Sequence, residues 1–235
     1  MFNKFQGKVI TDKSGHYIDL TTIFPKNVFA FFLIDKEKRK TKEEIENFLI
    51  ERKIKPNKIC ALKQIHSDVI VEEEDGVEGD GLYTKSIGTA ITIAVADCVP
   101  ILISANNGSL LIAIHSGWKG TFSKIVEKGV SLFNPRDCDA VWIGPSIRSC
   151  CYDVALERVE SFKEKFPNSK GVLFKELKLD LPLINAEILS DLGIPPQKIY
   201  LDQRCTFCDE NNFASYRRDK DKAGRMFLVA LKSHY

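Results

Sequence analysis

The sequence predicts a mixed α/β (α+β) fold: a single-domain sandwich of mixed β-sheets flanked by helices. Three observations predict it. Runs rich in β-branched and aromatic residues outnumber helical periodicities. Strand-like neighbours alternate with helical returns, and no repeat, low-complexity tract or linker divides the 235 residues. Two strongly apolar runs, 90–96 and 110–114, read as buried strands, and each ends in a residue able to do chemistry. The first ends in Asp97-Cys98 and the second in His115.

The elements follow in order. Residues 17–24 and 28–34 read as strands joined by a Pro25-Lys26-Asn27 turn. The Lys-rich run 35–42 reads as a solvated loop before a helix over 41–52, where Thr41 and Glu44 form a capping-box pattern. Strands at 58–62 and 68–72 flank Lys63–Ser67, and an acidic, glycine-containing loop fills 72–80. The apolar window 87–105 carries Asp97 and Pro100 near its centre, so it breaks into two strands rather than one membrane span. Asn106-Asn107-Gly108 joins the buried strands. Phe122, Ile125, Val126, Gly129, Val130 and Phe133 recur at helical spacing, which predicts one amphipathic helix over 121–133. A short strand at 141–144 leads into a loop and then a helix over 155–166. A second helix, 181–192, has Asp180 placed to cap it, Pro182 in its first turn and Gly193 at its end. Strands at 199–202 and 225–231 close the chain around a polar segment, 203–224.

Composition narrows the function. The net charge of +2 gives no broad field for nucleic acid or an anionic membrane. The opening MFNKFQGKVITDK lacks a continuous apolar core, so the expected location is the cytoplasm. Seven cysteines without a secretory signal are expected as reduced thiols rather than a disulfide framework.

Of the four histidines, His66 and His115 follow apolar strands, and Cys98 follows a third. Two imidazoles and one thiolate are a good zinc set that leaves a fourth position for water or substrate. Hydrogen-bonded loop histidines beside a core cysteine fit the same residues, as does a Cys98 nucleophile with His115 as its base. Gly117 and Lys119 lie where a strand turns into a helix, a position that favours an anion. Ser215, Arg217 and Arg218 read either as an oxyanion clamp or as a charged surface turn. Asp97 and Asp80 are acid/base candidates by position. Cys205 and Cys208 form a CxxC, read as redox-active, as half of a structural zinc site with Cys150 and Cys151, or as plain packing.

Six segments in this order resemble the YfiH / laccase-domain family: KQIHS (63–67), GDGLYT (79–84), VADCVPILI (95–103), AIHSGWKGT (113–121), IGPSIRSCCYDV (143–154) and CTFCDENNFASYRRDKDKAGR (205–225). Its members are called polyphenol oxidoreductases and purine nucleoside phosphorylases. The resemblance implies that His66, Cys98 and His115 are the catalytic, metal-binding trio, with zinc as the usual metal and copper as the alternative. It implies a fold similar to the catalytic domain of deamidating toxins. It also implies phosphorolysis of adenosine or inosine, with adenosine deamination as a second activity. The partners would be a purine nucleoside and phosphate, in a monomer or homodimer. Copper-dependent polyphenol oxidation, thiol hydrolysis and a non-enzymatic interaction role are the alternatives. Four histidines are too few for a multicopper cluster. Residues 30–40 depart from the family pattern: Phe31-Phe32-Leu33-Ile34-Asp35-Lys36 stands where relatives carry an arginine and glycines.

Overall fold

Period-two alternation of apolar side chains sorts this chain into layers. The computed structural model describes residues 2–36 and 40–233. The strands β1 (Asn3–Phe5), β2 (Val9–Asp12), β3 (Gly15–Asp19) and β4 (Val28–Asp35) precede helix α1 (Lys42–Glu51). Six strands follow: β5 (Lys58–Ala61), β6 (Ile70–Glu72), β7 (Gly81–Thr84), β8 (Thr89–Val95), β9 (Val99–Ala105) and β10 (Leu110–Ser116). Helices α2 (Trp118–Phe122) and α3 (Ile125–Val130) lead into β11 (Cys138–Ile143) and α4 (Leu156–Lys165). The small pair β12 (Val172–Leu173) and β13 (Lys178–Leu179), helix α5 (Leu181–Asp191), β14 (Ile199–Asp202), α6 (Tyr216–Asp219) and β15 (Arg225–Lys232) complete the described elements.

Among the described residues, two main sheets form. One runs β1-β14-β11-β9-β10-β7-β6 and the other β2-β3-β4-β15-β8-β5. Both are mixed: β11–β14 and β5–β8 are parallel, whereas β9–β10 and β4–β15 are antiparallel. Along β9, Leu102 faces the other sheet and packs with Phe32, Ile91, Ile93 and Trp142. Its neighbours Ile101 and Ile103 face the opposite way, toward Val126, Val159, Phe162 and Ile184 on the helices. The far side of the six-stranded sheet packs Phe31, Leu33 and Val229 against Ile45, Phe48 and Leu49 of α1. The result is four layers: helix, sheet, sheet, helices. The Phe32 and Trp142 rings meet between the sheets at 5.3 Å, and burial of each large side chain contributes about 2–3 kcal/mol. The mixed α/β sandwich flanked by helices is therefore the observed architecture.

The helix starts and stops were legible. Thr41 Oγ1 accepts from Glu44 N while Glu44 accepts from Thr41 N, which is the expected capping box. Asp180 accepts from Leu183 N at the start of α5, and Gly193 beyond its end has φ 94°.

Three expectations need correction. The strand over 17–24 ends at Asp19, because Asp19 Oδ1 accepts from Thr21 N and starts a 3-10 turn over Thr21–Ile23. The helix over 121–133 is two short helices, α2 and α3, separated where Lys124 takes φ 55°. The apolar period survives this excursion, so the pattern alone does not register it. Third, the strand 90–96 is not the hairpin partner of the strand at 110–114. The turn at 106–108 joins β9 to β10, and β8 lies in the opposite sheet. Of the Lys-rich run, Lys40 pairs with Asp35 (3.6 Å) and Lys36 Nζ donates to the Asn211 carbonyl (2.8 Å). Residues 37–39 of that run lie outside the described residues.

Candidate active site

The chain crosses from one sheet to the other at Ala96-Asp97-Cys98, between β8 and β9. Cys98 sits on this crossing. His115 lies near the end of β10, paired with Pro100 of β9, so the strand register brings it beside Cys98. His66 arrives from the loop between β5 and β6, in a left-handed conformation with φ 59°. The ligand atoms of His66, Cys98 and His115 all lie within 4.8 Å of one another. Cys98 Sγ is 4.0 Å from His66 Nε2, and the two imidazole rings meet edge to face at 4.9 Å.

One buried carboxylate arranges both histidines. Asp80, at the start of β7, accepts from His115 Nδ1 (2.7 Å), His66 N (3.1 Å), Ser67 N (2.5 Å) and Ser67 Oγ (2.7 Å). With the Nδ1 proton donated to Asp80, the neutral form of His115 presents Nε2 as its ligand atom. The amide bonds also hold His66 in its unfavourable φ. Burial raises the Asp80 carboxyl, but the hydrogen bonds from His115 and Ser67 prevail and bring it down to about 2. Asp80 is therefore ionised and acts as an orienting group.

Asp97 plays the corresponding part for the thiol. Its carboxylate accepts from Thr206 Oγ1 (2.6 Å), Ser215 Oγ (3.0 Å) and Arg217 N (2.6 Å). Its φ of 82° makes the corner that presents Cys98. All three bonds tie the 203–219 segment to the crossing between the sheets.

The Cys98 and His115 pair is polarised. Burial disfavours both charges, but each charge favours the other. The His115 cation and hydrogen bonds from His115 and His66 bring the Cys98 thiol down to about 6. The Cys98 charge and the bond to Asp80 bring His115 up to about 9. The free pair thus favours thiolate and imidazolium at neutral pH.

Two cavities open beside the trio. One of about 480 Å³ is bounded by His66, Cys98, His115, Ala94, Tyr216 and Arg225. The other, about 250 Å³, shares His66 and Cys98 and is walled by Trp118, Tyr152, Arg158 and Arg217. Tyr216, 48% exposed, lies at the rim of both. The Arg158 guanidinium stacks over the Trp118 ring at 4.1 Å, and the Arg217 guanidinium lies 5.2 Å from the Tyr152 ring.

The anion-binding expectations separate cleanly. Arg217 reaches the smaller cavity. Arg218 does not: its guanidinium donates to the carbonyls of Thr206 (3.0 Å) and Phe213 (2.9 Å) and pairs with Asp219 (2.8 Å). Ser215 Oγ donates to Asp97 and accepts from Arg218 N (3.2 Å), a cap for α6. Lys119 is exposed, and α2 is too short at five residues to present a helix-terminal anion site. Gly117 has a different use. A Cβ there would stand 3.1 Å from both Cys98 Sγ and His66 Cδ2, so its lack of a side chain keeps room for the two ligands. Arg158 carries no sequence signal, since it looks like any charged residue on an amphipathic helix. Trp118 and Tyr152 stand inside the 113–121 and 143–154 segments without being singled out.

The donor set suits zinc. A tetrahedral ion with sulfur and nitrogen ligands needs them about 3.5 Å apart; Cys98 Sγ and His66 Nε2 stand at 4.0 Å, and three protein ligands leave one position open. CxxC cysteines 205 and 208 lie elsewhere, beside Cys150 and Cys151.

The family described as multi-copper polyphenol oxidoreductase laccase matches residues 32–232. Purine nucleoside phosphorylase YlmD of Geobacillus stearothermophilus is 38% identical over 157 residues, 63% of this chain and 57% of that protein. Adenosine deaminase RL5, from an unknown prokaryotic organism, is 32% identical over 168 residues, 67% of this chain and 64% of that protein. In both, the matched stretch spans less than two-thirds of the relative. The crystal structure of YlmD from Geobacillus stearothermophilus superposes with a TM-score of 0.83 at 25% identity, covering 97% of this chain and 100% of that one. Shared sequence over most of the chain and a shared four-layer fold place this protein in the YfiH / laccase-domain family.

Proposed function

We propose that this protein is a purine nucleoside phosphorylase with adenosine deaminase side activity, and that His66, Cys98 and His115 hold its zinc. One observation carries the reading. His66 and Cys98 form a wall shared by two cavities: the larger, which His115 also lines, has room for a nucleoside, and the other is lined by two guanidinium groups. Relatives named for both activities support it.

In phosphorolysis, a phosphate oxygen bonds to C1′ of the ribose as the C1′–N9 bond breaks. That electron pair goes to the purine, which takes up a proton, leaving a free base and ribose 1-phosphate. Arg158 and Arg217 suit the phosphate, because guanidinium meets oxyanions with paired donors. Tyr152 and Trp118 wall their side of the cavity with apolar surface and limit water there. Asp80 keeps His115 in one tautomer throughout. Zinc, when bound, supplies a Lewis acid and a water of lowered pKa, the requirement for deaminating adenosine at C6.

The description of the matching family favours a second reading, copper-dependent phenol oxidation. The histidine supply opposes a multicopper cluster. His16 bonds Thr11 on the β2–β3 hairpin, and His234 lies outside the described residues. A single His₂Cys set remains, which suits one metal ion.

The test is chromatography of adenosine incubated with the zinc-loaded protein, with and without phosphate. Adenine and ribose 1-phosphate that form only with phosphate, together with inosine under both conditions, are expected. If neither product forms and a phenol is oxidised by copper-loaded protein instead, the oxidase reading replaces this one.

A further inference from the structure

The CxxC left unused by the site above has neighbours. Cys150 and Cys151, in the loop after β11, and Cys205 and Cys208, in the loop after β14, place all four sulfurs within 4.8 Å of one another. Cys151 Sγ is 3.3 Å from Cys208 Sγ, and Cys150 Sγ is 3.6 Å from it. A disulfide needs about 2.05 Å, and all four are free thiols. A tetrahedral zinc bound by four thiolates holds its sulfurs about 3.8 Å apart, given Zn–S bonds of about 2.3 Å. The observed spacing matches the second case.

The surroundings also suit a metal. Backbone amides of Arg148 (3.5 Å), Phe207 and Cys208 hydrogen-bond Cys205 Sγ. Amides turned onto the first sulfur of a CxxC orient it as an anionic ligand, as hydrogen bonds around a metal site do. The Lys178 ammonium is engaged elsewhere: it donates to the Cys150 carbonyl (3.4 Å) and pairs with Asp153 (3.8 Å). Four thiolates this close need a cation among them. Cys150 and Cys208 are exposed, so an ion can enter.

We propose that Cys150, Cys151, Cys205 and Cys208 form a second, closed tetrathiolate zinc site with a structural role. Binding displaces the four thiol protons and leaves no coordination position for substrate. The site clips two loops that already cross, where Thr206 N donates to the Ser146 carbonyl (3.1 Å) and Arg148 Nη1 to the Asp202 carbonyl (2.7 Å). Tyr152 follows Cys151 directly, and Thr206, between the two CxxC ligands, bonds Asp97 at the Cys98 corner. The clip therefore sets the wall of the smaller cavity without touching it.

The test separates the two sites by composition and uses no activity. The Cys98→Ala/His115→Ala protein, purified from zinc-supplemented cells and desalted, is expected to retain one zinc per chain. Unaltered protein is expected to retain two, and Cys205→Ser/Cys208→Ser one. Exchange of cobalt into the Cys98→Ala/His115→Ala protein is expected to give strong thiolate-to-cobalt charge-transfer bands with tetrahedral d–d bands. That spectrum decides the matter even if the Cys205→Ser/Cys208→Ser protein does not fold. Zero zinc with no cobalt bands in the Cys98→Ala/His115→Ala protein overturns the proposal. So does a disulfide between the two loops in a non-reducing peptide map. Either result leaves the reading of the first site standing, because that reading depends on His66, Cys98 and His115 alone.

Discussion

The Asp80 carboxylate accepts a 2.7 Å hydrogen bond from His115 Nδ1 while four donors from the His66 loop converge on the same two oxygens. One anion thus sets the tautomer of one imidazole and the position of the other. Asp80→Asn is expected to weaken zinc affinity about 10- to 100-fold, the usual cost of losing a group that orients a ligand. Competition against a chromophoric chelator measures it. An unchanged affinity would remove Asp80 from the site.

Asp80 also sets an acid limb of stability. Its carboxyl is held near 2, below its ordinary 3.8. The stabilisation is therefore complete above about pH 4 and is lost as pH falls toward 2, an effect of order 2 kcal/mol. Urea unfolding of metal-free protein at pH 7 and pH 2.5 is expected to show a larger loss than in the Asp80→Asn variant, where only the other lowered carboxylates, such as Asp12, Glu73 and Asp75, contribute.

In metal-free protein, the Cys98 thiol is held near 6 by His115 and His66 against the effect of burial. Because the thiolate is the nucleophile, alkylation of Cys98 should rise with pH through a midpoint near 6. His115→Asn removes the cation and is expected to move that midpoint upward by more than one unit. Mass spectrometry of the Cys98 peptide across a pH series reads both curves. Bound zinc is expected to protect the thiol at every pH.

Gly117→Ala tests whether room, rather than backbone freedom, is the need at that position. Gly117 has an ordinary φ of −75°, so alanine fits the backbone, but its Cβ would sit 3.1 Å from Cys98 Sγ and from His66. Fold stability should change by less than about 1 kcal/mol, whereas metal affinity falls at least tenfold as the ligands are displaced. Thermal unfolding without metal and zinc titration distinguish the two effects.

Arg217→Ala is expected to raise the KM for phosphate about 10- to 100-fold, the scale of one charged hydrogen bond, with deamination of adenosine little changed. Initial rates with varied phosphate, alongside inosine formation without phosphate, provide the check. An equal loss in both reactions would place the Arg217 side chain in support of the cavity wall, through its bond to the Asp153 carbonyl, instead of on the anion.

Much of this was legible in the sequence, for a physical reason. His66 and Cys98 follow apolar strands and His115 lies at the end of one, inside β10, and a buried strand carries its end to a fixed place. Helices with caps, such as those headed by Thr41 and Asp180, announced their limits. The roles of Asp80 and Asp97 were not legible. Position near the site suggested proton transfer, but only the hydrogen bonds made by each carboxylate show that it orients other groups. Arg218 and Arg217 are adjacent in sequence, yet one is bonded to carbonyls and the other borders a cavity. Whether the hydrophobic run beyond Thr121 stays helical turned on the backbone of Lys124 alone.

The middle position of β15 in the six-stranded sheet has a consequence for biogenesis. β15 lies between β4 and β8, pairing with both over nearly its full length. Until the ribosome has released that segment, β4 and β8 each expose an unpaired edge. β4 carries the run Phe29-Ala30-Phe31-Phe32-Leu33-Ile34, a sequence prone to cross-strand aggregation. The nascent chain is thus most vulnerable between the emergence of β4 and that of β15, an interval in which a chaperone shielding β4 would raise the yield of folded protein.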